Sequence, residues 1–328
     1  MASTALGSAT VVTGGAGAIG SVLVRSLLDR ASEVRVIDNL SSGRKEHLVP
    51  SRAGREAKLF VADLKEPTSY RDVFQGAGSV WHLATISDIR KGMSDPSIDL
   101  EEGTRVTFHV LEAMRRADVP RIAFSSSSVV YGHATVFPTP EEYGPLLPES
   151  LYGAAKLAAE GLISAYASSY GITAHIFRFA NVIGPNMTHG ILPDLFEKLR
   201  RDPTRLEVLG DGRQAKSYLR TEDCVDGMLL ATERSHEPVN LFNLGNVDQI
   251  SVREIGEKVV AAHGGKARID YTGGERGWVG DVPRQLLAIA RIQALGWKPR
   301  WNSTEAVDHT IEEMMGARRT HAAGGHRV

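Results

Sequence analysis

The chain has 328 residues, long for one ordinary domain and short for three, so one large domain carrying a smaller lobe is expected. Its 38 Lys and Arg face 39 Asp and Glu, for a net charge of -1 with no long block of one sign. That removes the usual footprint for nucleic acid or an acidic membrane surface and leaves a small molecule as the expected partner. The single cysteine, Cys224, excludes an internal disulfide framework and a cysteine metal cluster. No segment approaches the roughly 18 apolar residues of a spanning helix, and no basic, apolar leader opens the chain. The cytoplasm is the expected location.

Ala9 to Thr13 is a β-rich run that ends in Gly14-Gly15, and helix-forming sequence begins at Ala18. A second run, Glu33 to Ile37, ends in Asp38. Others fall at Leu59 to Val61, Ser79 to His82 and Ile122 to Ser125, with helical stretches such as Thr104 to Ala117 between them. Strands alternating with helices predict an α/β fold with a doubly wound parallel sheet of the Rossmann class over residues 1–180. From Asn181 the rhythm changes: Gly, Pro and Asn accumulate, a helix is expected from Pro193 to Arg201, and short strands near Leu206 to Leu209 and Ser217 to Leu219. Residues 181–221 and 246–316 read as the smaller lobe. Between them, 222–245 with the strand-like Val239 to Asn243 is expected to return to the main sheet. Ser251 to Glu254 is a capping box that opens a further helix. Residues 317–328 lack apolar periodicity and read as a frayed tail.

Gly14, Gly17 and Gly20 follow the first strand at the mouth of a helix, a spacing that lets backbone approach a pyrophosphate lying at the positive helix end. Among 33 glycines the spacing alone is weak. The order of strand, turn and helix, with an acidic residue at the end of the second strand, makes it a dinucleotide fingerprint. Asp38 can accept from both adenosine ribose hydroxyls and repels a 2'-phosphate, which favours NAD. Arg44 and Lys45 lie near enough to keep NADP open.

Tyr152 and Lys156 stand four apart in a strongly helical stretch, hence on one face. A free phenol titrates near pH 10, so a tyrosine that acts as a base at neutral pH needs a nearby cation, which Lys156 can supply. The run Ser125 to Ser128 follows the apolar strand Ile122 to Phe124. In an open parallel sheet, ligands sit beyond the carboxyl ends of the strands, where these hydroxyls fall. The alternative for the serine run is an ordinary polar loop. The histidines show no ligand spacing, so no metal is expected, and His82, at a strand end, reads as structural.

The glycine turn, Asp38 to Gly43, Ala62-Asp63-Leu64, His82-Leu83-Ala84, Ser127 to Gly132, Tyr152 to Lys156 with Glu160, and Arg178 to Pro185 occur in one order. Gly210 to Gln214, Gly280 to Pro283 and Leu295 to Trp297 continue it. In that order the chain resembles the NAD-dependent epimerase/dehydratase family of extended short-chain dehydrogenases, and within it the nucleotide-sugar 4-epimerases most. The resemblance implies NAD as cofactor and a catalytic set of Ser127, Tyr152 and Lys156, the lysine reaching the nicotinamide ribose. It implies cofactor contacts from Gly14, Gly17, Ala18, Ile19, Gly20, Asp38, Asn39, Ser42, Gly43, Leu83, Ala84, Thr85, Ser125, Tyr152 and Lys156, with Asp63 and Leu64 flanking the adenine. A nucleotide-sugar pocket lined by Ser127, Ser128, Tyr152, Asn181, Leu192, Lys216, Tyr218 and Arg276 follows from it, as does a homodimer formed through Thr104 to Ala117 and Tyr152 to Tyr170.

Sugar 4,6-dehydratases of the family carry an acidic pair where this chain has Ser128 and Val129, and the related decarboxylases a Glu at the second position. Inversion at C4 through a 4-keto sugar is therefore the expected reaction. A dehydratase or other family oxidoreductase is the alternative within the family, and a non-catalytic sensor of NAD or nucleotide sugar the alternative outside enzymes. UDP is the expected handle. Glucose/galactose and glucuronate/galacturonate both stay open, with Arg90, Thr188, His189 and Ser128 as candidate partners for a C6 carboxylate. The chain departs from the family at Leu100, where an Asn that touches the cofactor is usual, and at Ala155, where a Ser is common. Lys216-Ser217-Tyr218 replaces an Arg-Asp-aromatic segment, and Arg276 is offset by an insertion that contains Trp278.

Overall fold

The computed structural model describes residues 9–86, 91–278 and 280–324, with Lys91 and 317–324 as backbone only. Six strands arrive in the first half: β1 (Ala9–Thr13), β2 (Val34–Asp38), β3 (Lys58–Val61), β4 (Ala77–His82), β5 (Arg121–Ser127) and β6 (Thr173–Phe179). Eight more follow: β7 (Asn181–Ile183), β8 (Arg205–Val208), β9 (Ala215–Lys216), β10 (Tyr218–Arg220), β11 (Val239–Leu244), β12 (Ile250–Ser251), β13 (Arg268–Tyr271) and β14 (Arg284–Gln285). The longer helices are α1 (Ala18–Leu28), α2 (Val106–Arg116), α3 (Leu151–Tyr170), α4 (Ile191–Arg201), α5 (Thr221–Arg234), α6 (Val252–Ala262) and α7 (Ser303–Gly324).

Seven strands form one parallel sheet in the order β11-β6-β5-β4-β1-β2-β3. All of β1 is buried, as befits a parallel strand covered on both faces, whereas β3 at the edge is largely exposed. From β1 the chain moves outward through β2 and β3, then crosses back to lay β4, β5, β6 and β11 on the other side. The carboxyl ends of β1 and β4 therefore flank the switch point at which such sheets bind ligands. The segment expected to return does so: β11 pairs with β6 from Val239 to Leu244.

The remaining strands form small sheets, β12-β9-β14, β10-β7 and β13-β8. Around them lies a second apolar core that includes Leu192, Phe196, Leu206, Ile255, Val259 and Val307. The capping box is present, with Ser251 and Glu254 each bonded to the other's backbone N–H at the start of α6.

Two elements differ from the sequence reading. The helix expected from Thr104 begins as a π-turn, Leu100–Arg105, before α2. A Cβ on Gly103 would lie 2.9 Å from the Ala155 Cβ, so this widened turn rests directly on α3, and alanine fits where a larger side chain would crowd it. At the other end, α7 continues past Ala317 to Gly324, through the alanines and arginines that favour helix.

Candidate active site

The glycine turn follows from contacts that a side chain would forbid. Gly14 has φ +70°, and a Cβ there would sit 2.7 Å from the Ala84 backbone nitrogen. At Gly20 the Cβ would fall 2.1 Å from the Gly14 carbonyl oxygen. The ends of β1 and β4 and the first turn of α1 thus meet as bare backbone, with the helix's leading N–H groups facing outward. Asp38, buried at the end of β2, accepts from Ala16 N at 2.9 Å and Leu40 N at 2.8 Å, one bond to each carboxylate oxygen. The second lone pair of each oxygen remains for a ribose hydroxyl.

These residues line a cavity of about 220 Å³. Of the expected cofactor contacts, Gly14, Gly17 to Gly20, Asp38, Asn39, Ser42, Asp63, Leu64, Leu83 to Thr85, Ser125 and Tyr152 lie on its wall. Two do not. Gly43 packs behind the turn, where a Cβ would be 2.9 Å from Ala16, and Lys156 is buried one layer below, donating to Ser125 O at 2.7 Å. Arg44 and Lys45 are absent from the wall, whereas Ser41 and Glu102 belong to it. Glu102 pairs with Lys65 at 2.6 Å, and Lys65 lies 3.6 Å from Asp63. No local pattern marks Glu102, which reaches the cavity through the π-turn.

A second cavity, of about 380 Å³, lies between the sheet and the small lobe. The two cavities share Ile19, Ser126, Tyr152, Phe179, Val182, Met187 and His189, so Tyr152 stands where they meet. Ser127, Ser128, Asn181, Lys216 and Tyr218 line the larger one. Leu192 does not: it is fully buried in the lobe core, because α4 turns Leu192, Phe196 and Leu199 inward and presents Ile191, Asp194 and Lys198 to the cavity, with Leu195 belonging to both. Arg276 does not either, being half-exposed and paired with Glu149 at 2.8 Å. Trp278 takes the place on the wall. Thr188 lines the smaller cavity, and Arg90 lies outside the described residues.

Ser150 caps α3 by accepting from Gly153 N at 3.1 Å, which fixes the helix start at Leu151 and so sets the position of Tyr152. Burial pushes the Tyr152 phenol up from its ordinary value; the Asp99 carboxylate adds to this, and a hydrogen bond with Thr85 opposes it. The Thr85 contact is a relation that the sequence does not signal. Lys156 is pulled down to about 7 by burial, against the opposing pull of Glu160. Its ammonium lies 5.7 Å from the Tyr152 ring centre and is committed to Ser125 O, so in this state it does not bond the phenol directly. Beneath it, Ser126 donates to Glu160 at 2.5 Å, and Glu160 forms a two-point pair with Arg178 at 3.0 and 2.6 Å. His82 is held between the hydroxyls of Thr13, at 2.7 Å, and Thr107, at 3.1 Å, and burial, with the Lys156 charge, lowers it to about 3.

A glycine turn at a sheet switch point, an acidic residue ending β2 and a Tyr-Lys helix bordering the same cavity define a dinucleotide-binding protein of the Rossmann class. Residues 10–245 match the model of the NAD dependent epimerase/dehydratase family, and the chain belongs to that family. It is 30% identical to a putative UDP-glucose 4-epimerase of Methanocaldococcus jannaschii, over 94% of this chain and 99% of that one. It is also 30% identical to UDP-glucuronic acid decarboxylase 1 of Arabidopsis thaliana, over 92% of this chain and 69% of that one. A solved UDP-galactose 4-epimerase superposes with a TM-score of 0.85 at 40% identity, over 94% of this chain and 99% of the other. The cofactor of the family is NAD, and the bare-backbone cradle with Asp38 fits it. Among the described residues no helix is long and apolar enough to cross a membrane, and no group of His, Cys, Asp and Glu could hold a metal ion.

Proposed function

We propose that this protein is a UDP-sugar 4-epimerase that inverts C4 of a UDP-linked hexose, either glucose/galactose or glucuronate/galacturonate. The observation that carries the reading is the position of Tyr152 at the junction of a dinucleotide cavity and a second cavity of about 380 Å³. When bound, NAD supplies a reversible hydride acceptor for the C4 carbon. Gly14, Gly17, Gly20, Asp38 and the wall from Leu83 to Thr85 hold it. Tyr152 takes the proton of the C4 hydroxyl and returns it, with Ser127, on the same cavity, orienting the hydroxyl and Thr85 bonded to the phenol. The buried Lys156 supplies the positive charge that favours the phenolate. Ser128 and Val129 place no carboxylate beside the sugar, so a step that needs an extra acid, such as loss of water, has no evident donor at those positions.

Phe108 on α2 and Leu151 and Tyr170 on α3 are large apolar side chains left exposed, which supports a homodimer through these two helices. The lone, buried Cys224 supports a reducing compartment, the cytoplasm.

Incubation of the NAD-loaded protein with UDP-glucose, and separately with UDP-glucuronate, tests the reaction by proton NMR at C4. The galacto isomer is expected from one of the two, which also identifies the C6 group. A binding protein that is not an enzyme would leave both unchanged.

A further inference from the structure

Asp99 ends the short helix Ser97–Asp99, directly before the π-turn, and lines neither cavity. It is 4% exposed, and its Oδ2 is buried with no hydrogen-bond partner. The oxygen lies over Gly92: a Cβ there would fall 1.9 Å from Oδ2 and 3.6 Å from the Leu151 Cβ. The carboxyl is thus packed against the start of α3, one residue before Tyr152, and its charge reaches the phenol. Burial pushes Asp99 up from the usual carboxylate range.

Among the described residues, the other charges on the elements around Asp99 and Tyr152 are engaged elsewhere. Asp95 bonds Ser97 at the surface. On the π-turn, Glu101 pairs with Arg105 at 2.9 Å and Glu102 with Lys65 at 2.6 Å. On α3, Lys156 donates to Ser125 O at 2.7 Å and Glu160 is paired with Arg178. His82 on β4, lowered to about 3, is uncharged at neutral pH. The side chains of Asp88, Arg90 and Lys91 lie outside the described residues. A buried carboxylate oxygen without a donor costs stability, and a cost of that kind beside a reacting group points to a use.

Tyr152 has to work in both directions. On the epimerase reading, on which this inference rests, it takes the C4 proton in one half of the turnover and returns it in the other. Lys156 and a bound cationic nicotinamide both favour the phenolate, which eases removal and hinders return. We propose that Asp99 is the counter-charge that offsets them, a buried negative group beside Tyr152 that keeps the phenol able to return the proton as readily as it takes it. Transfer in both directions is fastest when the proton affinities of donor and acceptor are matched, and one opposing charge at the start of α3 brings them closer. Asp99 is a positioning residue in this role: it acts through the phenol and not on the substrate.

A pH titration of the NAD-loaded protein tests this, with the ultraviolet absorbance of phenolate as the readout and Tyr152→Phe as the blank. Asp99→Asn keeps the size of the side chain and removes its charge, so the Tyr152 midpoint is expected to fall by about 0.5 to 1 pH unit. The acid limb of kcat/KM should move down with it. Bound NAD should be unchanged and the melting temperature equal or higher, because an unpaired buried charge has gone. Asp99→Ala, also uncharged, should give the same downward move of the midpoint. A midpoint that stays or rises in Asp99→Asn, or that moves in only one of the two variants, overturns the counter-charge; a purely structural role would lower the melting temperature and leave the midpoint in place. The titration uses no sugar, so the two readings fail separately. If the midpoint falls in both variants while neither UDP-glucose nor UDP-glucuronate changes, the epimerase reading fails and the charge on the phenol stands. If UDP-glucose is epimerised while the midpoint stays, the counter-charge falls and the epimerase reading remains.

Discussion

Tyr152 and Lys156 are both shifted by burial, and in opposite directions. The phenol resists losing its proton, and the ammonium, at about 7, readily gives one up. In this state neither group is set for base chemistry by itself. On the proposed reading, a cationic nicotinamide bound beside Tyr152 would favour the phenolate, together with the charge of Lys156. Tyr152→Phe is therefore expected to lower kcat by about 10²- to 10⁴-fold while bound NAD, measured after denaturation, stays at the wild-type level. Gly14→Ala should do the reverse. Its Cβ meets the Ala84 backbone at a positive φ, so cofactor content should drop together with the melting temperature.

At the scale of elements, the serine hydroxyls at the end of β5 rest on a buried ion pair between α3 and β6. Glu160 receives Ser126 and both arms of Arg178, and Arg178 stacks over Tyr131 at 4.7 Å. Removal of the carboxylate strands a charge that is 4% exposed. Glu160→Ala is expected to cost about 3–5 kcal/mol in chemical denaturation, whereas an exposed pair such as Arg105 with Glu101 should cost about 1 kcal/mol or less. The same scale shows where sequence reading stops. The glycine turn, Asp38 and the Tyr-Lys spacing were legible because local backbone geometry and one helical turn specify them. Leu192 was not, because α4 has apolar residues on two sides and only the lobe core decides which side faces the cavity. Nor was Arg276, whose partner Glu149 lies 127 residues away, or Gly43, whose close packing on Ala16 leaves it behind the cavity wall. The π-turn that brings Glu102 to the cofactor cavity arises from a close approach of two helices that no single-segment pattern carries.

For the whole molecule, two buried histidines tie stability to pH. Burial lowers His82 to about 3 and His175 to about 4. Below the ordinary value near 6.5 the unfolded chain takes up protons at these sites while the folded chain does not, so their contribution is present at neutral pH and is lost as pH falls from 6.5 toward 4. A scanning calorimetry series should show the melting temperature falling by a few degrees between pH 7 and pH 5.5, at about 1.4 kcal/mol per histidine per pH unit. His175→Gln should flatten that slope. Light scattering should give the mass of two chains, and Phe108→Glu, which puts charge on the exposed α2 face, should return a mass of one.

In the proposed reaction one hydrogen leaves C4 and comes back to the same carbon from the other side, at the place where the two cavities meet. UDP-glucose carrying deuterium at C4, incubated with the NAD-loaded protein in ordinary water, tests it by mass spectrometry and NMR of the recovered nucleotide sugars. If UDP-glucuronate proves to be the substrate, the same label is placed at its C4. The expected result is a galacto product of unchanged mass with the label still at C4. A product lighter by one water, or a galacto product whose label has washed into solvent, would contradict it.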